Sequence, residues 1–372
     1  MKLTEGLYCL HLLFQVTPQI ERFVNVGVIK GEKLYLVDTG VAGSFDSISG
    51  YLDEIGGGRI GAVLLTHSHP DHIGCAARLK RDSGCRVYGP EAEREWIEDI
   101  AVQYKARPIP NFFALAGESV PMDAGVSEGD VLRLEPGVTI EVLETPGHSH
   151  GSVSYYWREK KVLFCGDAVP VPGDIPIYVD SAASVRSLEK LLALPDVDFV
   201  VPSWAGPCSG EENRERMRHS LAFLRELAGT VERQRQTDSN EKTLPARVCR
   251  ELGLDKFVGN PLLERTILTH LPQGNRPVYF IVEVTCPGER GEYADYVELV
   301  KPIVERHGGV YLVRTEAVTL FGLETVRPDR LALIRFDSRA ALDACFSSPE
   351  YQEIMRKREE NVHTRALIVE GL

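Results

Sequence analysis

Long apolar runs are missing from this 372-residue sequence; none approaches the roughly 18 residues that a membrane-crossing helix needs. The first residues, Met1-Lys2-Leu3-Thr4-Glu5, lack the basic start, apolar core and small-residue cleavage site of a secretory signal. Together these absences predict a cytoplasmic chain without a membrane partner. Cysteine pairs at C-x-x-C spacing are also lacking. The eight cysteines, at 9, 75, 85, 165, 208, 249, 286 and 345, are scattered, which argues against a disulfide framework and against a structural zinc knuckle. No arginine-rich run is present, and 42 basic against 54 acidic residues leave a net charge of −12, so a nucleic-acid partner is not expected. The length allows two or three domains with well-buried cores.

What is present is concentrated. Thr66-His67-Ser68-His69-Pro70-Asp71-His72 packs three imidazoles and a carboxylate into six residues after an apolar run, Ala62 to Leu65, that reads as a buried strand. Extended backbone just beyond a strand points residues i and i+2 the same way, so His67 and His69 can share one ion. Pro70 suits the first turn of a helix expected to continue over Ile73 to Asp82, with Asp71 and His72 at its start. Neutral imidazole and carboxylate suit zinc, iron and manganese. Isolated polar residues in a loop more often make ordinary hydrogen bonds, but four in six residues favour a metal.

The cluster resembles the H-x-H-x-D-H signature of the metallo-β-lactamase fold superfamily, and further elements of that pattern follow in order. Thr145-Pro146-Gly147-His148-Ser149-His150-Gly151-Ser152 resembles the superfamily's TPGH loop and implies His148 as the third histidine of a first metal position. Phe164-Cys165-Gly166-Asp167 resembles the strand-end element whose aspartate bridges two metals. Leu36-Val37-Asp38-Thr39-Gly40 is similar to the element that orders the site from outside the ligands, a role this implies for Asp38. Where the superfamily closes its second position with a histidine, this chain has Pro202-Ser203-Trp204-Ala205-Gly206, and indole cannot ligate a metal. His150, Cys208 and Glu211 are conceivable replacements, although His150 also reads as a donor behind the ligands or a pocket-wall residue. His219 falls on an expected amphipathic helix.

The resemblance therefore implies one complete position, His67, His69 and His148, and a second, Asp71, His72 and Asp167, that is one ligand short. One or two divalent ions are expected, zinc first, with iron or manganese as alternatives. Superfamily members with both ions use a bridging hydroxide as nucleophile, and a single three-histidine ion can itself lower the pKa of bound water to about 7. With one ion, Asp71 becomes free to act as general base and acid.

The fold expected is α+β. An αββα sandwich over residues 1–210 is followed by a helical cap over 211–272, whose stripe of Met217, Leu221, Leu224 and Leu227 reads as core. The insertion from Glu91 to Glu128 and the segment Val169 to Tyr178 are candidate pocket walls, with Tyr178 a candidate substrate contact. A linker around Leu271 to Pro277 leads to residues 277–372, which read β-α-β-β-α-β. His307-Gly308-Gly309-Val310-Tyr311-Leu312, Ser348-Pro349-Glu350-Tyr351 and Val369-Glu370-Gly371 resemble a ferredoxin-like, dimeric α+β barrel family of uncharacterised domains. That resemblance implies a homodimer through paired sheets.

The functional expectation is a metallo-hydrolase acting on a small ester-like molecule, a thioester or lactone, through a metal-bound hydroxide. Two alternatives stand beside it: a non-haem iron oxygenase or reductase on the same fold, and a non-catalytic, metal-stabilised ligand sensor.

Overall fold

The computed structural model describes residues 1–17, 20–238, 240–271, 277–287, 293–319 and 327–370, with backbone only at 17, 340 and 370. Contacts divide the chain into two units, Met1–His270 and Leu271–Leu372.

In the first unit two sheets face one another. The seven-stranded sheet runs in chain order through Lys2–Thr4, Leu7–Thr17, Ile20–Lys30, Leu34–Val37, Ile60–Leu64, Arg86–Pro90 and Ala124–Val126. Its first four strands pair antiparallel, as hairpins allow, and the later ones pair parallel across helical crossovers. The six-stranded sheet runs from Cys208–Ser209 through Phe199–Pro202, Val162–Gly166, Val153–Trp157 and Val138–Glu144 to Val131–Glu135. Between the sheets lies a core of alternating residues from both, including Ile29, Val37, Leu64, Val142, Tyr155 and Phe164. Each such aliphatic side chain contributes about 1.5–3 kcal/mol of burial. A second core, with Val26, Leu36, Val63, Ile48, Ile73 and Leu79, fills the outer face of the first sheet beneath the helices, completing an αββα sandwich.

The helix expected to run unbroken from Pro70 to Asp82 is instead two, Pro70–Ile73 and Ala76–Ser83. The break falls at Gly74, where a Cβ would stand 2.3 Å from the Ala42 backbone nitrogen. Its N–H donates to Gly40 O at 2.9 Å, so the chain must turn there to seat the metal loop against the Asp38–Gly40 turn. The helices Gly210–Thr237, Leu244–Glu251 and Pro261–Leu268 follow the last strand. No helix among the described residues is long and apolar enough to cross a membrane.

The second unit is an antiparallel sheet in the order Val310–Thr315, Arg330–Phe336, Val278–Thr285, His363–Glu370. The helices Tyr293–Arg306 and Pro349–Glu359 cover one face, where Val278, Val282 and Val284 meet Tyr296, Val300, Val304 and Tyr351. On the other face Ile281 lies in register with Leu333 and Leu367. Most of the expected linker, residues 272–276, and the closing Gly371 lie outside the described residues.

Candidate metal centre

Both metal loops spring from strand ends at the same edge of the sandwich. Tyr155 Oη donates to Leu65 O at 2.8 Å, and Val153 N–H donates to Thr66 O at 2.9 Å. These bonds stitch the two sheets together beside the loops. Three nitrogens then converge: His69 Nδ1 lies 3.0 Å from His67 Nε2 and 2.8 Å from His148 Nε2. A proton on His69 Nδ1 would satisfy one of these contacts and leave lone pairs opposed in the other, whereas a cation satisfies both. A second group, His67, His72 and Asp167, is equally compact, with ligand atoms within 4.8 Å of one another. Asp167 serves both: Oδ2 lies 3.2 Å from His148 Nε2 and Oδ1 3.4 Å from His72 Nε2. Among the described residues His72 Nε2 and Asp167 Oδ1 are buried without a hydrogen-bond partner, as ligand atoms are before an ion arrives. The donor set therefore suits a divalent ion. Asp71 Oδ2 comes within 3.5 Å of His72 Nε2.

The ligand nitrogens face inward because their ring partners fix the tautomers. His72 Nδ1–H donates to Asp38 Oδ2 at 2.8 Å, and His148 Nδ1–H donates to Ile177 O at 2.7 Å. Thr66 Oγ1 donates to Asp38 Oδ2, also at 2.8 Å, and so receives His67 Nδ1–H at 2.9 Å. Asp38 Oδ1 takes the Thr66 N–H at 2.8 Å. One buried carboxylate thus orients two ligands, from a backbone held in the left-handed region at φ 63°, which aspartate tolerates better than most residues.

Burial, and then the neighbouring histidines and Arg107, push the His67 and His69 imidazoles well below their ordinary range, and burial likewise lowers His148. These three are lone-pair donors at neutral pH. Burial opposes a charge on His72, but Asp167, Asp71 and Asp38 overcome it and raise that imidazole well above its ordinary value. Burial would raise Asp167, yet the positive fields of His72 and His148 hold its carboxyl far below the usual range.

Not every expected residue joins the cluster. His150 is exposed and lines neither cavity beside the cluster. Ser149 takes the inward place of that loop by donating to Glu93 Oε1. Cys208 bonds Asn213, Glu211 pairs with Arg218, and His219 is exposed, so none of them fills the missing position. Trp204 lines an apolar cavity of about 190 Å³ together with His148, Asp167, Val169, Ile177 and Leu262. Its indole packs near Phe14 and Phe23, and its buried Nε1 has no partner among the described residues. Asn25 pins this turn by donating to Pro202 O at 2.9 Å and Ala205 O at 2.7 Å. Tyr178 is buried, lines a small adjoining cavity with His148 and Asp167, and bonds His270 through its hydroxyl.

Three residues of the 91–128 insertion had no sequence signal. Glu93 accepts from Ser68 N–H at 2.7 Å and Gly151 N–H at 2.9 Å as well as from Ser149, tying the two metal loops together. Gln103 Nε2 donates to Ser68 O at 2.7 Å. Arg107 follows one turn later, buried.

Residues 20–204 match the metallo-beta-lactamase superfamily, and residues 277–372 match a domain of unknown function, DUF1330. The chain is 30% identical over 209 residues to a hydroxyacylglutathione hydrolase of Methylococcus capsulatus, covering 54% of this chain and 70% of that protein. With one from Pseudomonas paraeruginosa it shares 31% over 208 residues, covering 54% and 68%. Among solved structures, a metallo-beta-lactamase family protein from Thermus thermophilus superposes with a TM-score of 0.53 at 22% identity, covering 73% of this chain and 93% of that one. This last likeness speaks to the fold.

Proposed function

This chain belongs to the metallo-beta-lactamase superfamily, and on that premise we propose that it hydrolyses a small thioester or lactone with the help of a bound divalent ion, zinc. The observation that carries the reading is the Asp167 carboxylate, which turns one oxygen toward each of two ligand groups. The hydroxyacyl thioester named in the relatives' activity supports the thioester. An ion held by His67, His69 and His148, with a second held by Asp71, His72 and Asp167, would polarise the scissile carbonyl and lower the pKa of a bound water.

The remaining work falls to the chain. With the first position alone occupied, Asp71, at 17% side-chain exposure the most open carboxylate of the cluster, would be free to take a proton from the attacking water and return it to the leaving thiolate or alkoxide. The apolar cavity beside His148 and Trp204 would receive the apolar part of the substrate and exclude water from it. Eight free cysteines support a reducing, cytoplasmic setting.

The test is elemental analysis of protein purified without added metal, together with thioester and lactone panels, on wild type and His67→Ala. Zinc in the wild type, with hydrolysis that the variant loses along with its ion, is the expected result. One iron per chain with oxygen uptake on a persulfide would instead favour the oxygenase, and tight ligand binding without turnover would favour a sensor.

For the second unit we propose a ferredoxin-like fold that dimerises by pairing its open sheet face. Its antiparallel strand order supports the fold. The dimer is supported by Leu367 and Val369, 46% and 45% exposed on a strand where a globular unit would bury them. Sedimentation equilibrium should give a dimer for the wild type and a monomer for Leu367→Asp; a dimeric variant would reject this face.

A further inference from the structure

Among the described residues, Arg107 is a buried charge beside the metal centre without a direct partner. It is 9% exposed, and its guanidinium makes no hydrogen bond or ion pair among the described residues. Its place is set by the helix Ile100–Ala106, from which Gln103 reaches Ser68 at 2.7 Å, between His67 and His69. Arg107 is the residue that ends this helix. Asp71, Asp167 and Glu93 attract it without pairing with it, and Arg265 repels it. Arg265 itself, on the helix Pro261–Leu268, is exposed.

A guanidinium left with little water and no counter-ion is disfavoured, and a second cation nearby worsens it. Such a pair becomes favourable when an anion arrives, and the planar fork of arginine fits a carboxylate through two parallel hydrogen bonds. The largely apolar cavity at His148 and Trp204, whose rim carries the paired Arg22 and Asp174, does not include Arg107.

We propose that Arg107 is a carboxylate-recognition subsite of the metal centre. The substrate is then bipartite, with an apolar arm for the cavity and a carboxylate arm for Arg107 flanking the reacting carbonyl. The word substrate rests on the hydrolase reading; the carboxylate subsite itself does not.

Binding is tested on metal-stripped protein with succinate and with neutral succinamide as probes. Succinate should raise the Tm of the wild type and succinamide should not, and the succinate shift should vanish in Arg107→Met. The variant's own Tm should equal or exceed that of the wild type, because an apolar chain replaces an unpaired buried cation. A lower Tm with an undiminished succinate shift would make Arg107 structural and overturn the proposal.

With metal restored, two substrate pairs are compared. Succinyl against butyryl thioesters of N-acetylcysteamine carry the carboxylate on the acyl side. Butyryl thioesters of 3-mercaptopropionate against its amide carry it on the thiol side. Wild type should favour the charged member of one pair, and Arg107→Met should cut that preference by about tenfold to a hundredfold. No preference in either pair would overturn the subsite. Failure to hydrolyse any of the four would sink the thioester reading instead, leaving the succinate shift to decide on Arg107.

Discussion

Replacing Asp38 by asparagine changes one oxygen for one NH2 at a site 2% exposed, and the hydrogen-bond network turns that exchange into a metal-binding defect. The wild-type carboxylate accepts three bonds at 2.8 Å, from Thr66 N–H, Thr66 Oγ1 and His72 Nδ1. If the asparagine oxygen keeps the Thr66 N–H, its NH2 meets two groups that were themselves donors. His72 Nδ1 must then accept, which moves its proton to Nε2, and Thr66 Oγ1 must turn its hydrogen toward His67 Nδ1, which does the same to His67. The Nε2 lone pairs of His67 and His72 are thereby capped. Loss of one such outer partner weakens metal affinity by about 10- to 100-fold, or about 1.4–2.7 kcal/mol. Since His67 belongs to both groups, both ion positions should weaken. Competition against a chromogenic chelator measures this, with far-UV circular dichroism confirming that the variant is folded. A folded Asp38→Asn protein that binds its ions as tightly as wild type would refute the tautomer argument.

Trp204→His supplies an imidazole beside His148 and Asp167, so a second ion should bind at least about tenfold more tightly; unchanged stoichiometry in the chelator titration would show that Trp204 does not stand at the missing ligand's place. Glu93→Ala leaves the donors of Ser68, Ser149 and Gly151 without their acceptor, which should cost the first unit roughly 3 kcal/mol or more in urea melts, and a loss under about 1 kcal/mol would contradict the tie between the loops. Burial lowers the His270 imidazole to about 4, below its ordinary value near 6.5. Between those values the unfolded chain takes up a proton that the folded one refuses, so stability falls as pH drops through that window, by at most about 3 kcal/mol. His270→Gln should flatten that part of the urea-midpoint profile, and an unaltered slope would assign the acid sensitivity elsewhere.

The metal loops were legible because their chemistry is local: imidazoles and carboxylates at fixed short spacings have few other uses, and apolar runs end where the loops begin. The sandwich was legible for a related reason, since period-two alternation marks each strand without knowledge of its neighbour. Glu93 and Arg107 were not legible. Each is one charged residue among many in an insertion, and what sets it apart is burial against loops distant in sequence, which no local pattern encodes. His150 shows the converse error. Two residues from His148 it shares a sequence parity that would matter in a strand, but Gly147 at φ 135° opens a turn in which parity has no meaning. The break at Gly74 was hidden likewise, because its cause is the backbone of Val41 and Ala42.

The first trio joins His69 to His148 across 79 positions of chain, and Asp167 comes later still. A growing polypeptide that has emerged only as far as the first loop holds three histidines and an aspartate, without the His148 and Asp167 that complete both ligand groups. The full donor set exists only once both sheets have met, so an ion cannot template the fold at birth. Selection of the metal is therefore deferred to the finished sandwich and to whichever ions its compartment then keeps available.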